Sequence, residues 1–353
     1  MLGLRFSILA ICLVLSLQWI GPVDSKICQT HDNKTGTCQR VRDCPALKSI
    51  SDKLINKIPL TNKEEILRNC VLPCEKQYTL CCEESLNPDG LKLLKENESI
   101  CGSFGEPKDR TKYRPWTALL EYYDDLQHGR RFYCGGTLIT SKFVLTAAQC
   151  IKDNLVSVRL GEFALGKTPD CLLLGNHTRC LDRPVDVPIE KVFVHEGFEE
   201  NIKNVRVSNN IALIRLKDPV QFNDLIGPIC LPVSPDLQLE SQTVKSLDVF
   251  GWDLMMQLNG YIPRWPLYEL LESTACNIQD EKKICIRNSE SYRYRGDVGG
   301  ALVYPSQYNG RQLLVQAGIV SVDIVERSDR SLTEGTDVSD FMGWITETIA
   351  KKD

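Results

Sequence analysis

The chain has 353 residues, 42% hydrophobic and 25% charged, with a formal net charge of -4. That is ordinary globular composition, long enough for one large domain beside a small one, and it carries no electrostatic footprint of a nucleic-acid partner. Its sixteen cysteines argue against a cytosolic setting, where reducing conditions keep thiols unpaired.

Residues 1–25 read as a secretory signal: Arg5 near the start, an apolar run over 6–20, and small residues in Val23-Asp24-Ser25 at the cleavage positions. The run is shorter than the ~20 apolar residues that span a bilayer, so no membrane anchor is expected. Residues 28–82 hold seven cysteines: Cys28, Cys38, Cys44, Cys70, Cys74, Cys81 and Cys82. A module this small buries too little apolar surface to fold without crosslinks, which makes these cysteines structural. Within it Leu47, Ile50 and Leu54 have helical spacing, and Thr61-Asn62-Lys63-Glu64 has the form of a capping box. No Cys-x-x-Cys pair with nearby histidine exists, and the chain has four histidines, so neither a metal nor a cofactor is expected.

Residues 83–114 are polar and charged and read as a linker with a short helix at 91–95. Sequons at Asn33, Asn97 and Asn176 fit a glycosylated, secreted chain. From 115 onward the pattern changes to short β-rich runs at 116–123, 132–139, 143–147, 156–160, 192–195, 211–216, 247–251 and 313–322. Runs of this length and spacing predict a barrel or sandwich. The chain closes with Asp337 placed to cap a helix whose apolar face is Val338, Phe341, Ile345 and Ile349.

One stretch carries chemistry. Gly296-Asp297-Val298-Gly299-Gly300 is built like a nucleophile loop, in which glycines aim backbone N–H groups at an oxyanion and the central residue supplies the attacking oxygen. Valine has no proton to remove.

Pro115-Trp116, Cys134-Gly135-Gly136-Thr137-Leu138-Ile139, Leu145-Thr146-Ala147-Ala148-Gln149-Cys150, Asn210-Ile211-Ala212-Leu213-Ile214-Arg215-Leu216, Pro228-Ile229-Cys230-Leu231-Pro232, Gly251-Trp252 and the loop at Gly296–Gly300 follow one another in register. In that order and spacing they resemble the chymotrypsin-like serine proteases. The run Val158-Arg159-Leu160-Gly161-Glu162, Cys171, Cys180 and Val187-Pro188-Ile189-Glu190 is similar to the arthropod clip-domain subset, and Cys38, Cys44 and the Cys81-Cys82 pair resemble its clip module. The resemblance implies an all-β double six-stranded barrel with a C-terminal helix over 115–353, preceded by a small disulfide-rich clip domain.

By the same resemblance Gln149 stands where the family has its general-base histidine, Asn210 where it has the orienting aspartate, and Val298 where it has the serine. A triad works because imidazole takes the serine proton while a carboxylate stabilises the imidazolium. Glutamine does not take that proton near neutral pH, and asparagine supplies no charge. No catalytic residue is therefore assigned. Of the histidines, His31 falls in the clip module, His128 and His177 in polar loops, and His195 after a strand at a position the family keeps at the surface; none maps near Val298.

Further departures agree. Tyr294 stands where the family has a cysteine before its nucleophile, Tyr292 where trypsin-like members carry the aspartate of the specificity pocket, and Asp323 where a glycine admits substrate. The family is switched on by a cut whose new ammonium pairs with the aspartate beside the nucleophile. Here the segment from Cys101 to Arg110 has no Arg-Ile or Lys-Ile bond, so Asp297 is expected to accept loop N–H bonds instead. Cleavage after Arg110 or Arg114 in the polar linker would not create the family's terminus.

The resemblance also implies the disulfides Cys101–Cys230, Cys134–Cys150, Cys171–Cys180 and Cys276–Cys285, and in the clip module Cys28–Cys81, Cys44–Cys82 and Cys38 with either Cys70 or Cys74. Taking Cys38–Cys70 leaves Cys74 as a free thiol, a member of some other internal pair, or the link to a disulfide-bonded oligomer. A calcium site near Glu162, in a loop where some relatives bind that ion, lacks assignable further ligands. The expected function is a secreted, catalytically inactive clip-domain homologue in haemolymph. It would act as a cofactor, scaffold or decoy in a melanisation or Toll cascade, with clip-domain proteases or prophenoloxidase-type zymogens as partners. Microbial-surface recognition or adhesion is the second reading.

Overall fold

The computed structural model describes residues 27–29, 35–40, 79–83, 86–103, 114–125, 128–167, 169–174, 177–201, 206–252, 254, 263–276, 282–288, 297–321 and 332–351. The chain divides into two compact units, Met1–Ser85 and Leu86–Asp353.

In the first unit β1 (Ile27–Gln29), β2 (Thr35–Arg40) and β3 (Thr79–Glu83) form an antiparallel sheet in that order. Its register sets Cys38 opposite Cys81, Thr37 opposite Cys82 and Cys28 opposite Gly36, so four of the module's cysteines share one small sheet. Cys44, Cys70, Cys74 and both helices expected here lie outside the described residues.

The second unit begins with helix α1 (Pro88–Lys95). Asn87 opens it: its side-chain oxygen accepts from the Asp89 and Gly90 amides at 3.0 and 3.2 Å, and Pro88 follows at a position where a missing N–H costs nothing. The helix starts three residues earlier than the spacing of its leucines predicts.

Next come β4 (Thr117–Asp124), β5 (Gly129–Leu138), β6 (Phe143–Thr146) and β7 (Leu155–Leu160), then a hairpin of β8 (Cys171–Leu174) and β9 (His177–Cys180). These are followed by β10 (Val185–Val194), a second hairpin of β11 (Glu199–Asn201) and β12 (Arg206–Ser208), and β13 (Ala212–Leu216). The strands β10-β13-β6-β5-β4-β7 close into an antiparallel barrel. Bulges between Leu120 and Glu121 and between Ile189 and Lys191 bend two of its strands, as closure requires. Helix α2 (Pro235–Thr243), with Ser234 as its N-cap, leads to the second barrel. That barrel comprises β14 (Ser246–Val249), β15 (Leu267–Leu271), β16 (Lys283–Asn288), β17 (Ala301–Tyr308), β18 (Arg311–Val320) and β19 (Leu332–Asp337), closed in the order β14-β15-β16-β19-β18-β17. The expected fold class is therefore the one present.

Two apolar clusters fill the barrels, the larger of them also taking in Ala301, Val303, Leu314 and Ile319 of the second barrel. Ala118, Leu120, Leu145, Val158 and Leu213 belong to one cluster, and Leu247, Tyr268, Ile286, Tyr304 and Val315 to the other. The chain ends in helix α3 (Met342–Ala350), on whose approach and inner face Val338, Phe341, Ile345 and Ile349 are buried. Asp337 does not cap this helix. Its carboxylate accepts from the Ser339 amide at 2.8 Å, at the start of the preceding single turn Ser339–Phe341, whose N-cap is Val338.

Residues 86–103 are folded onto the barrels. The Asn87 amide donates to Thr346 Oγ1 at 3.0 Å, and Asn87 Nδ2 donates to Glu347 Oε2 at 2.7 Å. Gly90 presses so closely on α3 that an added Cβ would lie 1.9 Å from the Thr346 carbonyl oxygen. Farther on, Cys101 is bonded to Cys230, and the Gly102 amide donates to the Pro228 carbonyl while its own carbonyl accepts from Leu314. Arg311 Nη1 donates to the Glu98 carbonyl at 2.5 Å.

Candidate functional site

β6 ends at Thr146, and the chain turns through Ala148–Cys150, which sets Gln149 half-buried between the barrels. Asn210, just ahead of β13, is 2% exposed. Asn210 Nδ2 donates to Gln149 Oε1 at 2.5 Å and to Ser321 Oγ at 2.8 Å, while Asn210 Oδ1 accepts from the Gln149 amide at 3.0 Å. Thr336 Oγ1 donates to the Asn210 carbonyl at 3.0 Å. Ser321 follows β18 and Thr336 lies in β19, so the network ties the first barrel to the second. Neither Ser321 nor Thr336 stands out in the sequence. The one available signal was a lone hydroxyl closing the apolar run of β18.

The loop at Val298 is pressed onto the first barrel. Gly300 N donates to the Asp297 carbonyl at 2.8 Å, which makes the turn tight, and Gly299 adopts φ +85°, a conformation glycine takes without strain. The Val298 carbonyl accepts from the Gly135 amide at 2.7 Å and lies 3.6 Å from Cys150 Sγ, next to the Cys134–Cys150 disulfide. Val298 itself is 3% exposed and belongs to the large apolar cluster that runs from the first barrel into β17 and β18 of the second. The structure thus joins Gln149 to Asn210 directly and brings the Val298 backbone against the residue that follows Gln149.

Asp297 is buried. Its Oδ2 accepts from the Trp252 amide at 2.6 Å and its Oδ1 from the Leu254 amide at 2.8 Å. Chemically, the Gln149, Asn210 and Ser321 side chains offer hydrogen bonds from two neutral amides and a hydroxyl, none of which takes up a proton near neutral pH.

Of the histidines, His128 and His195 lie elsewhere, and His31 is outside the described residues. His128 is exposed, and the His195 ring packs edge-on against Phe341 and beside Trp344, with centroids 5.2 and 5.3 Å away. His195 is thus half-buried against the C-terminal segment rather than free at the surface. Its Nδ1 accepts from the Gly197 amide at 3.0 Å, and burial holds its pKa below the usual histidine value.

Glu162 is also buried. Arg159 Nη1 donates to its Oε2 at 3.3 Å and the Phe163 amide to its Oε1 at 3.1 Å. Burial raises its pKa, Asp170 adding to the rise and Arg159 opposing it. Among the described residues no three metal-ligating side chains cluster. The disulfides Cys101–Cys230, Cys134–Cys150, Cys171–Cys180 and Cys276–Cys285 are all formed. Asn97 stands in the turn after α1. Asn33, Asn176, Tyr292, Tyr294 and Asp323 lie outside the described residues.

Two six-stranded antiparallel barrels, a C-terminal helix and a tight glycine loop seated between the barrels define a chymotrypsin-like protease fold. The trypsin family profile matches residues 103–345, and the chain belongs to that family, within its clip-domain serine proteases. It is 29% identical to Serine protease grass of Drosophila melanogaster, over 92% of this chain and 91% of that protein. It is 30% identical to Phenoloxidase-activating factor 3 of Holotrichia diomphalia, over 91% of this chain and 93% of that protein. The crystal structure of the Drosophila Grass clip serine protease of the Toll pathway superposes with a TM-score of 0.69 at 26% identity, covering 93% of this chain and 98% of that one.

Proposed function

We propose that this chain is a secreted, non-catalytic clip-domain homologue that works by binding, as a cofactor or scaffold in a haemolymph protease cascade of the melanisation or Toll type. The observation that carries this reading is the Gln149–Asn210 amide pair beside a buried Val298. If these three occupy the triad positions, base, charge and nucleophile are all missing, and loss of one member of such a unit already removes most of the rate. A folded barrel of this kind acts through its surfaces. The names of the relatives, one a phenoloxidase-activating factor and one of the Toll pathway, support the choice of cascade, with clip-domain proteases or prophenoloxidase-type zymogens as partners. Secretion through residues 1–25, glycosylation at Asn33, Asn97 and Asn176, a clip domain over 28–82, a linker over 83–114, and a pocket altered at Tyr292 and Asp323 belong to the same proposal. Among the described residues no helix is long and apolar enough to cross a membrane.

Two measurements test it together. A serine-reactive fluorophosphonate probe is expected to leave the purified protein unlabelled; labelling abolished by one substitution would overturn the non-catalytic reading. Adding the protein back to depleted haemolymph is expected to change the cleavage of a downstream zymogen. Retention on washed bacteria with no change in that cleavage would replace the cascade role with surface recognition.

A further inference from the structure

Arg114 and Thr137 each bury a polar atom that no described residue meets. Arg114 is 6% exposed and Thr137 is fully buried, and neither Arg114 Nη1 nor Thr137 Oγ1 has a hydrogen-bond partner among the described residues. Leaving a buried donor or hydroxyl unmatched is costly, most of all on a charged group. Two such atoms on one cavity wall call for something that satisfies both.

Both residues line a cavity between the barrels whose walls also include Gly135, Asp248, Trp252 and Asp297. Its free volume is about 10 Å³, enough for one water and nothing larger. Charge disfavours an ion there, because the guanidinium repels a cation and the two aspartates repel an anion. A water accepts from Nη1 and pairs with the Thr137 hydroxyl, which rotates to donate or accept, and it keeps a proton for an acceptor on the wall. The walls come from both barrels: Arg114 leads into β4 and Thr137 lies in β5 of the first, while Asp248 lies in β14 of the second.

We propose that this cavity is a binding site for one ordered water, shared by Arg114 Nη1 and Thr137 Oγ1, and that the water is part of the contact between the two barrels beside the Val298 loop. Gly135, two residues before Thr137 in β5, lines the same cavity and donates to the Val298 carbonyl at 2.7 Å. One strand therefore carries both a ligand of the water and the anchor of the loop.

A high-resolution crystal structure of the full, disulfide-bonded chain tests this. It is expected to show one fully occupied water within about 3.2 Å of both Arg114 Nη1 and Thr137 Oγ1. Thr137→Val keeps the side chain's shape and removes the hydroxyl, so the water loses a partner and the melting midpoint is expected to fall by about 3 °C. A hydroxyl buried in a dry cavity behaves the opposite way, since putting a methyl group in place of an unmatched polar atom is neutral or stabilising. A midpoint unchanged or raised in Thr137→Val overturns the proposal, and so does a natural chain whose cavity shows no water or shows an ion. Should Thr137→Val fail to fold, the structure of the natural chain alone decides.

Discussion

Asn210 and Gln149 face each other as a pair of neutral amides, each donating to the other: Asn210 Nδ2 to Gln149 Oε1 at 2.5 Å, and the Gln149 backbone amide to Asn210 Oδ1 at 3.0 Å. With Ser321 and Thr336 added, this buried network spans the barrels. A hydrogen-bonded network of this kind, with Asn210 and Ser321 buried, is structural glue, and removing Asn210 leaves its partners unpaired.

Asn210→Ala is accordingly expected to lower stability by about 1–3 kcal/mol, the usual cost of stranding buried polar groups. Urea denaturation of the disulfide-intact protein measures it. A loss under about 0.5 kcal/mol, the range of an ordinary surface change, would mean that the network holds nothing together.

Gly90 is the contact on which α1 rests against α3. A methyl group there would meet the Thr346 backbone at 1.9 Å, and backbone yields less easily than a side-chain tip. Gly90→Ala should therefore separate the two helices and cost about 1–3 kcal/mol, the typical penalty of overpacking, although alanine is the better helix former. Thermal melting and limited proteolysis near residue 90 would show it, the variant being cut faster in 86–100. Unchanged cleavage and melting would contradict the close packing.

Part of the first barrel was legible in the sequence because β6 and β13 are short, mostly apolar runs. All five residues of β13 are buried, as are those of β6, and such runs stand out against the turns. The second barrel was harder to read. β19 has the sequence Leu-Thr-Glu-Gly-Thr-Asp and looks like a loop, yet five of its six residues are buried. Glu334 is accommodated there by an ion pair with Lys283 at 3.0 Å across the β16–β19 ladder, a compensation visible only in three dimensions. At the site, Gln149, Asn210 and Val298 were found because each interrupts a recognisable motif. Ser321 was not, because burial of one serine after a strand leaves no periodic trace.

His195 gives the unit a pH response. Burial lowers its pKa from the model-compound value of 6.5, Lys282 adding to the drop and Glu196 opposing it. The neutral ring accepts from the Gly197 amide through Nδ1, and a proton on that nitrogen would set two donors against each other. A histidine whose folded pKa is depressed favours the folded state while neutral, so its contribution is present above pH 6.5 and is lost as pH falls through the lowered folded value. NMR titration of the His195 ring is expected to show a midpoint below 6.5, and the stability difference between the natural chain and His195→Gln should shrink as pH drops from 7 toward 5. A midpoint above 6.5 would reverse the sign and refute the assignment of burial as the governing effect.

Val298→Ser puts the missing oxygen back and asks whether the site around it can use one. The new hydroxyl would sit where the side chain is now 3% exposed, with Gln149, Asn210 and Ser321 as the polar side chains of the neighbouring network. An amide neither removes a hydroxyl proton near neutral pH nor stabilises the cation that would result. The variant is therefore expected to remain unlabelled by a fluorophosphonate probe under conditions that label trypsin fully. It should also lose about 1–3 kcal/mol of stability, because a hydroxyl replaces two packed methyl groups in an apolar setting. Labelling of Val298→Ser at a rate within about a hundredfold of trypsin would mean that a general base stands close to residue 298, and the two-amide description of the site would have to be abandoned.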